Sequence, residues 1–144
     1  MTLKKDADKV AEPTAVYAAA SSHAGETVER IRAGLPMVEF IALQELLGLG
    51  AEELAQHLAI SRSTLVRRRK SGRLDMQESD RLLRYARLYA RAQVVLQDNA
   101  AARDWLKQPA RALDFVAPLT FAETETGARE VEALLGRIEH GVFS

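Results

Sequence analysis

The run "LAQHLAISRSTL", Leu54 to Leu65, restricts the fold most, because two short helical patterns meet there across only two residues. Glu52 to Leu58 reads as a helix with Leu54, Ala55 and Leu58 inward. Ala59 and Ile60 form the turn, and Ser61 is placed to cap the next helix by accepting from its exposed backbone amides. Helices joined this tightly must cross steeply, which demands a small residue at the crossing and an apolar plug in the turn. Ala55 and Ile60 take those roles, and Leu65 anchors the second helix in the same core.

Helical periodicity continues on both sides. Val28 and Ile31 lead to "AGLP", where Gly34 closes one helix and Pro36 opens the next. In "PMVEFIALQELLGLG" the positions Val38, Ile41, Leu43, Leu46 and Leu47 give a broad apolar face, ended by Gly48 and Gly50. A long helix in "MQESDRLLRYARLYARAQVVLQ" carries an inward stripe of Leu82, Tyr85, Ala86, Tyr89, Ala92 and Leu96. Arg81, Arg84, Arg87 and Arg91 gather on another side, where pairing with acids of a partner or of the C-terminal region is favoured over DNA contact. Asp98-Asn99 breaks this helix. Ala102, Trp105 and Leu106 mark another, stopped at Pro109, and Thr124 or Thr126 caps a last helix bearing Val131, Leu134, Leu135 and Ile138. No alternating strand pattern occurs, so the expected fold is all-α. Residues 1–25 lack periodicity and read as an arm; 26–76 form the first helical domain and 77–144 the second.

The chain has no net charge, with 20 basic and 20 acidic side chains, but the distribution is uneven. Residues 1–60 hold 5 basic and 9 acidic groups, residues 61–111 hold 13 and 5, and residues 112–144 hold 2 and 6. Local potential steers a polyanion, so the basic middle is the place to seek one. Within "SRSTLVRRRKSGRL" no acid interrupts Ser61 to Leu74, whereas a merely solvated face usually mixes signs. If the second helix of the pair enters a major groove, Arg62, Ser63, Thr64 and Arg67 are the candidates for base edges. Arg68, Arg69, Lys70 and Arg73 are the candidates for phosphates.

Catalysis has little raw material. There are no cysteines, and the histidines (His23, His57, His140) are too scattered for a metal cluster. No nucleophile–base pair or phosphate-cradling glycine loop is present, so neither enzyme activity, metal nor cofactor is expected. No signal core or membrane span is legible, and the chain reads as a cytoplasmic protein. His57 reads as a half-buried helix residue, and His140 equally as a helix cap or a partner contact. The ending "RIEHGVFS", with Gly141 as helix terminator and Val142 and Phe143 beyond it, suits a surface that a partner covers.

The stretch "LAQHLAISRSTL" resembles the helix-turn-helix of Xre-type regulators. Such motifs often carry glycine where this chain has Ala59, which costs about 1 kcal/mol if the left-handed geometry is kept. More widely, "GLP", "RSTLVRRRKSGRL", "ESDRLLRYARLYARA", "WLKQPARAL" and "TETGAREVEALLGRIEHGVFS", in this order, resemble the Xre/MbcA/ParS family of antitoxins over about Gly34 to Ser144. The resemblance implies a helix-turn-helix unit followed by a small helical toxin-binding domain. It also implies a type II toxin-antitoxin pair whose RES-domain toxin consumes NAD, so that NAD belongs to the partner. The antitoxin of such a pair neutralises the toxin and represses its own operon from operator DNA. A homodimer within the larger complex is expected because half-sites about 34 Å apart require two readers. By resemblance, the segment at the toxin's active-site entrance is Arg137, Ile138, Glu139, His140, Gly141, Val142, Phe143 and Ser144. Relatives commonly show Gly-Gly where this chain has Asp114-Phe115. The alternative is a stand-alone dimeric helix-turn-helix regulator whose C-terminal helices serve dimerisation.

Overall fold

The computed structural model describes residues 24–141, and every regular element among them is helical; only two isolated β-bridges interrupt the pattern. Two units divide after Ala86. That point lies later than the boundary expected after residue 76, because one unbroken helix runs across both positions.

The first unit contains α1 (Ala24–Ala33), α2 (Met37–Leu47), α3 (Ala51–His57), α4 (Arg62–Ser71) and the beginning of α5 (Met76–Leu96). Its connectors pair with each other. Leu74 N–H donates to Leu35 O at 2.9 Å, Met37 N–H donates to Gly72 O at 2.8 Å, and Leu35 N–H donates to the buried Ser79 Oγ at 2.7 Å. Gly34 makes this approach possible. Its φ is +87°, and a Cβ there would stand 2.1 Å from Leu74 O.

Around these connectors Leu35, Phe40, Leu43, Leu47, Leu54, Leu58, Leu65 and Leu82 are almost wholly buried. Each such side chain contributes roughly 1.5–3 kcal/mol by leaving water. The face of α2 keeps Leu43 and Leu47 of the one expected but not the rest: Leu46 is half-buried. Phe40, Leu43 and Leu47 point inward with Met37 and Ala42, while Val38 and Ile41 are exposed. The segment "MVEFIALQELL" is apolar nearly all round, so periodicity could not choose its buried side. The same side buries Glu39, whose carboxylate meets Arg30 of α1 at 3.5 Å. Burial raises the Glu39 pKa above its ordinary 4.5, and the charge and hydrogen bond of Arg30 oppose that rise.

The second unit holds the remainder of α5, then α6 (Asn99–Lys107), a 3-10 turn (Arg111–Leu113), the single turn α7 (Pro118–Phe121) and α8 (Glu125–Glu139). Asp98 caps α6 by accepting from Ala101 N–H at 2.8 Å, and Thr124 caps α8 by accepting from Gly127 N–H at 3.0 Å. Leu88, Tyr89, Ala92, Ala102, Leu106, Leu119, Val131 and Leu135 form the core of this unit. Trp105, expected inside, is half-buried, as are Leu96 and Ile138. Gly127 lets α8 start against the end of α7: a Cβ there would overlap the carbonyl of Phe121 at 1.7 Å.

Candidate nucleic-acid interface and partner-binding helix

α3 and α4 meet as their spacing demands. Leu54 and Ala55 are buried on α3, Ile60 plugs the turn at 5 % exposure, and Leu65 of α4 is buried opposite. Ile60 N–H closes the turn on Ala55 O at 2.8 Å. Ala59 takes φ +57°, so the left-handed geometry is kept without glycine. Ser61 caps α4: Thr64 N–H donates to Ser61 Oγ at 3.2 Å, and the Ser61 hydroxyl donates to Thr64 Oγ1 at 2.9 Å. His57 is half-buried, with its ring 5.8 Å from that of Tyr85.

This arrangement gives the cations of α4 different situations. Arg62, Ser63, Arg67, Arg69 and Lys70 are exposed, and Thr64 is half-buried. Arg62 reaches Glu52 Oε1 at 2.8 Å, but both side chains stand mostly in water, where such a pair is worth little. Arg67 donates to Thr64 Oγ1 at 3.1 Å. Arg73, an exposed residue, turns its guanidinium onto the carbonyl of Gly34.

Arg68 is held most firmly. Its Nε donates to Glu78 Oε1 at 2.7 Å and its Nη2 to Glu78 Oε2 and Asp75 Oδ2, each at 3.2 Å. The hydrogen bond that the guanidinium donates to the Glu78 carboxylate raises its pKa, against the cost of burial. Asp75 and Glu78 also bond reciprocally, each backbone N–H donating to the other's carboxylate at 2.9 and 2.7 Å, to make a capping box for α5. Sequence reasoning had not singled out these two acids. The pattern Asp75-x-x-Glu78 at the head of a helix was the signal available.

On the arginine face of α5, Arg81 donates to Leu58 O at 3.1 Å. Arg91 meets Glu139 of α8 at 2.6 Å, one of the two kinds of pairing, with a partner or internal, expected for that face. In the C-terminal segment Arg137 and Ile138 are half-buried, whereas Glu139, His140 and Gly141 are exposed. Gly141 takes φ +71° just past α8, with its N–H donating to Ile138 O at 3.2 Å. Val142, Phe143 and Ser144 lie outside the described residues. Among the described residues no group of acids and histidines could hold a metal ion, and no helix is long and apolar enough to cross a membrane.

Two family models match the chain in tandem: the antitoxin Xre-like helix-turn-helix domain over residues 26–87 and the antitoxin Xre/MbcA/ParS C-terminal toxin-binding domain over residues 91–141. Fold and matches together define a helix-turn-helix protein that carries a toxin-binding domain. Similar proteins include the antitoxin Xre of Yersinia enterocolitica, 42% identical over 85 residues that make up 58% of this chain and 57% of that relative. The antitoxin Xre of Photorhabdus laumondii is 33% identical over 113 residues, 77% of this chain and 76% of the relative. That of Pseudomonas putida is 34% identical over 68 residues, 47% and 43% of the two chains. The match thus spans less than two thirds of the Yersinia and Pseudomonas proteins. The chain belongs to the Xre antitoxin family.

Proposed function

We propose that this chain is the antitoxin of a type II pair, neutralising a RES-domain, NAD-consuming toxin by placing Arg137 to Ser144 over its active-site entrance. The observation that carries this reading is the state of α8. Val131 and Leu135 fix the helix in its own unit, while Glu139, His140 and Gly141 at its end are exposed within the segment matched to the toxin-binding model. A helix anchored by Val131 and Leu135, with Glu139 already held by Arg91, presents its exposed last turn with little ordering cost on binding.

The first unit supplies the regulatory half. Arg62, Ser63, Thr64 and Arg67 lie at the start and outward side of α4, the positions from which a recognition helix reads base edges, and Arg69 and Lys70 follow as phosphate contacts. Arg68 and Arg73 have partners within the chain and fix the helix that carries the readers. A homodimer sets two such helices on half-sites about 34 Å apart, and repression of the operon follows from occupancy of the operator.

Removal of Gly141 to Ser144 tests the first half. Rescue from co-expressed toxin is lost and operator binding is retained if the segment occludes; unimpaired rescue overturns the occlusion reading.

A further inference from the structure

We propose that Phe115 is a second anchor for the toxin, an aromatic ring held out on a rigid turn for an apolar pocket of that partner. This rests on the reading of residues 91–141 as toxin-binding and extends it to a surface outside the C-terminal segment.

The turn that carries Phe115 is tied at every step. Ala110 N–H donates to Val116 O at 3.1 Å, the N–H groups of Leu113 and Phe115 converge on Ala110 O at 3.0 and 2.9 Å, and Val116 N–H returns to Leu113 O at 3.0 Å. This wiring puts two successive residues, Asp114 at φ +56° and Phe115 at φ +62°, in the left-handed region. Aspartate tolerates that region through local hydrogen bonding, but a phenyl side chain has no such compensation.

Phe115 is nevertheless the most exposed large apolar side chain among the described residues, at 69 %, while Leu113 two positions earlier is 3 % exposed. The turn has its own apolar support in Leu113, so the ring contributes little to the fold. An aromatic ring kept in water at a strained backbone position gains its stabilisation when a partner covers it. Few rotatable bonds and a rigid backbone keep the ordering cost low, which is the physical profile of an interface hot spot. Exposed Arg111 and Asp114 in the same turn provide the polar rim that surrounds such anchors. The turn lies inside the toxin-binding match, and this commits the occupant to the toxin and not to a second copy of the chain.

The test uses the full chain, its Phe115→Gly and Phe115→Leu variants, and a purified RES-domain toxin of the kind proposed above as its partner. Alone, Phe115→Gly melts about 2–4 °C higher because the backbone strain is relieved. In calorimetric titration it binds the toxin at least about tenfold more weakly, while Phe115→Leu stays within about threefold of the parent. A purely structural role would move stability and affinity together. Unchanged affinity of Phe115→Gly overturns the inference alone. Loss of self-association in sedimentation with toxin affinity intact also overturns it, by assigning the ring to a second copy. A parent chain with no affinity for the RES-domain protein removes the toxin reading and this inference together.

Discussion

Arg68 grips Glu78 at both carboxylate oxygens, through Nε at 2.7 Å and Nη2 at 3.2 Å, so the basic helix α4 is bound to the head of α5 by one of its own cations. Glu78 is almost fully buried, and removing the arginine leaves its charge with the Asp75 N–H but without the counter-ion that Nε and Nη2 supply. Arg68→Ala is expected to lower stability in urea by about 2–3 kcal/mol. Because the Arg68 guanidinium is engaged by Glu78 and Asp75, the variant is expected to weaken binding to every DNA sequence without changing the salt slope. Arg68→Lys restores little, since an ammonium cannot span both oxygens. A salt slope lowered by a full unit in Arg68→Ala would place this side chain on DNA.

The exposed cations divide by a different measurement. Arg62→Ala combined with Arg67→Ala is expected to relax sequence preference in a binding-site selection. Arg69→Ala weakens all sequences alike and flattens the salt slope by roughly one unit. Equal losses on specific and random DNA from both variants would refute the division of labour.

Ala59 at φ +57° is exposed, so its methyl group contributes strain and no packing. Ala59→Gly is expected to raise stability by about 1 kcal/mol, seen as a melting point some 3 °C higher, with operator affinity unchanged. A lower melting point would mean that the flexibility of the unfolded glycine outweighs the relief.

Glu39 has a raised pKa from burial, opposed in part by Arg30. The folded state therefore binds its proton more readily than the unfolded chain does, and stability falls as pH rises from about 4.5 through the higher folded-state value. Glu39→Gln is expected to be the more stable form at pH 7. The advantage fades toward pH 4, where both side chains are neutral. A constant difference across that range in denaturation curves would show that Arg30 compensates fully for burial.

The helix-turn-helix was legible because its signals are local: Ala55, Ile60, Ser61 and Leu65 each do what their spacing requires. The inward stripe of α5 was legible for the same reason, with Leu82, Tyr85, Ala86, Tyr89 and Ala92 all buried. The buried face of α2 was not, since a segment apolar on every side is oriented by its neighbours and not by its own period. Nor could a run of like charges reveal that Arg68 faces Glu78. The composition of α4 is uniform, and the difference between a reader and a tether lies in where α5 begins. The departures from glycine at Ala59 and at Asp114-Phe115 were visible as letters, but their positive φ angles needed the backbone.

The pairing of Leu35 with Leu74 and of Met37 with Gly72 closes a loop around the whole of α2, α3 and α4. Contacts between α3 and α4 are short-range and can form early, whereas this closure joins distant residues and its entropy cost falls late in folding. The amide hydrogens of Leu35, Met37 and Leu74 therefore act as one reporter. In hydrogen exchange they are expected to open together, at the rate at which the loop is released, and that rate sets how long the basic helix keeps its shape.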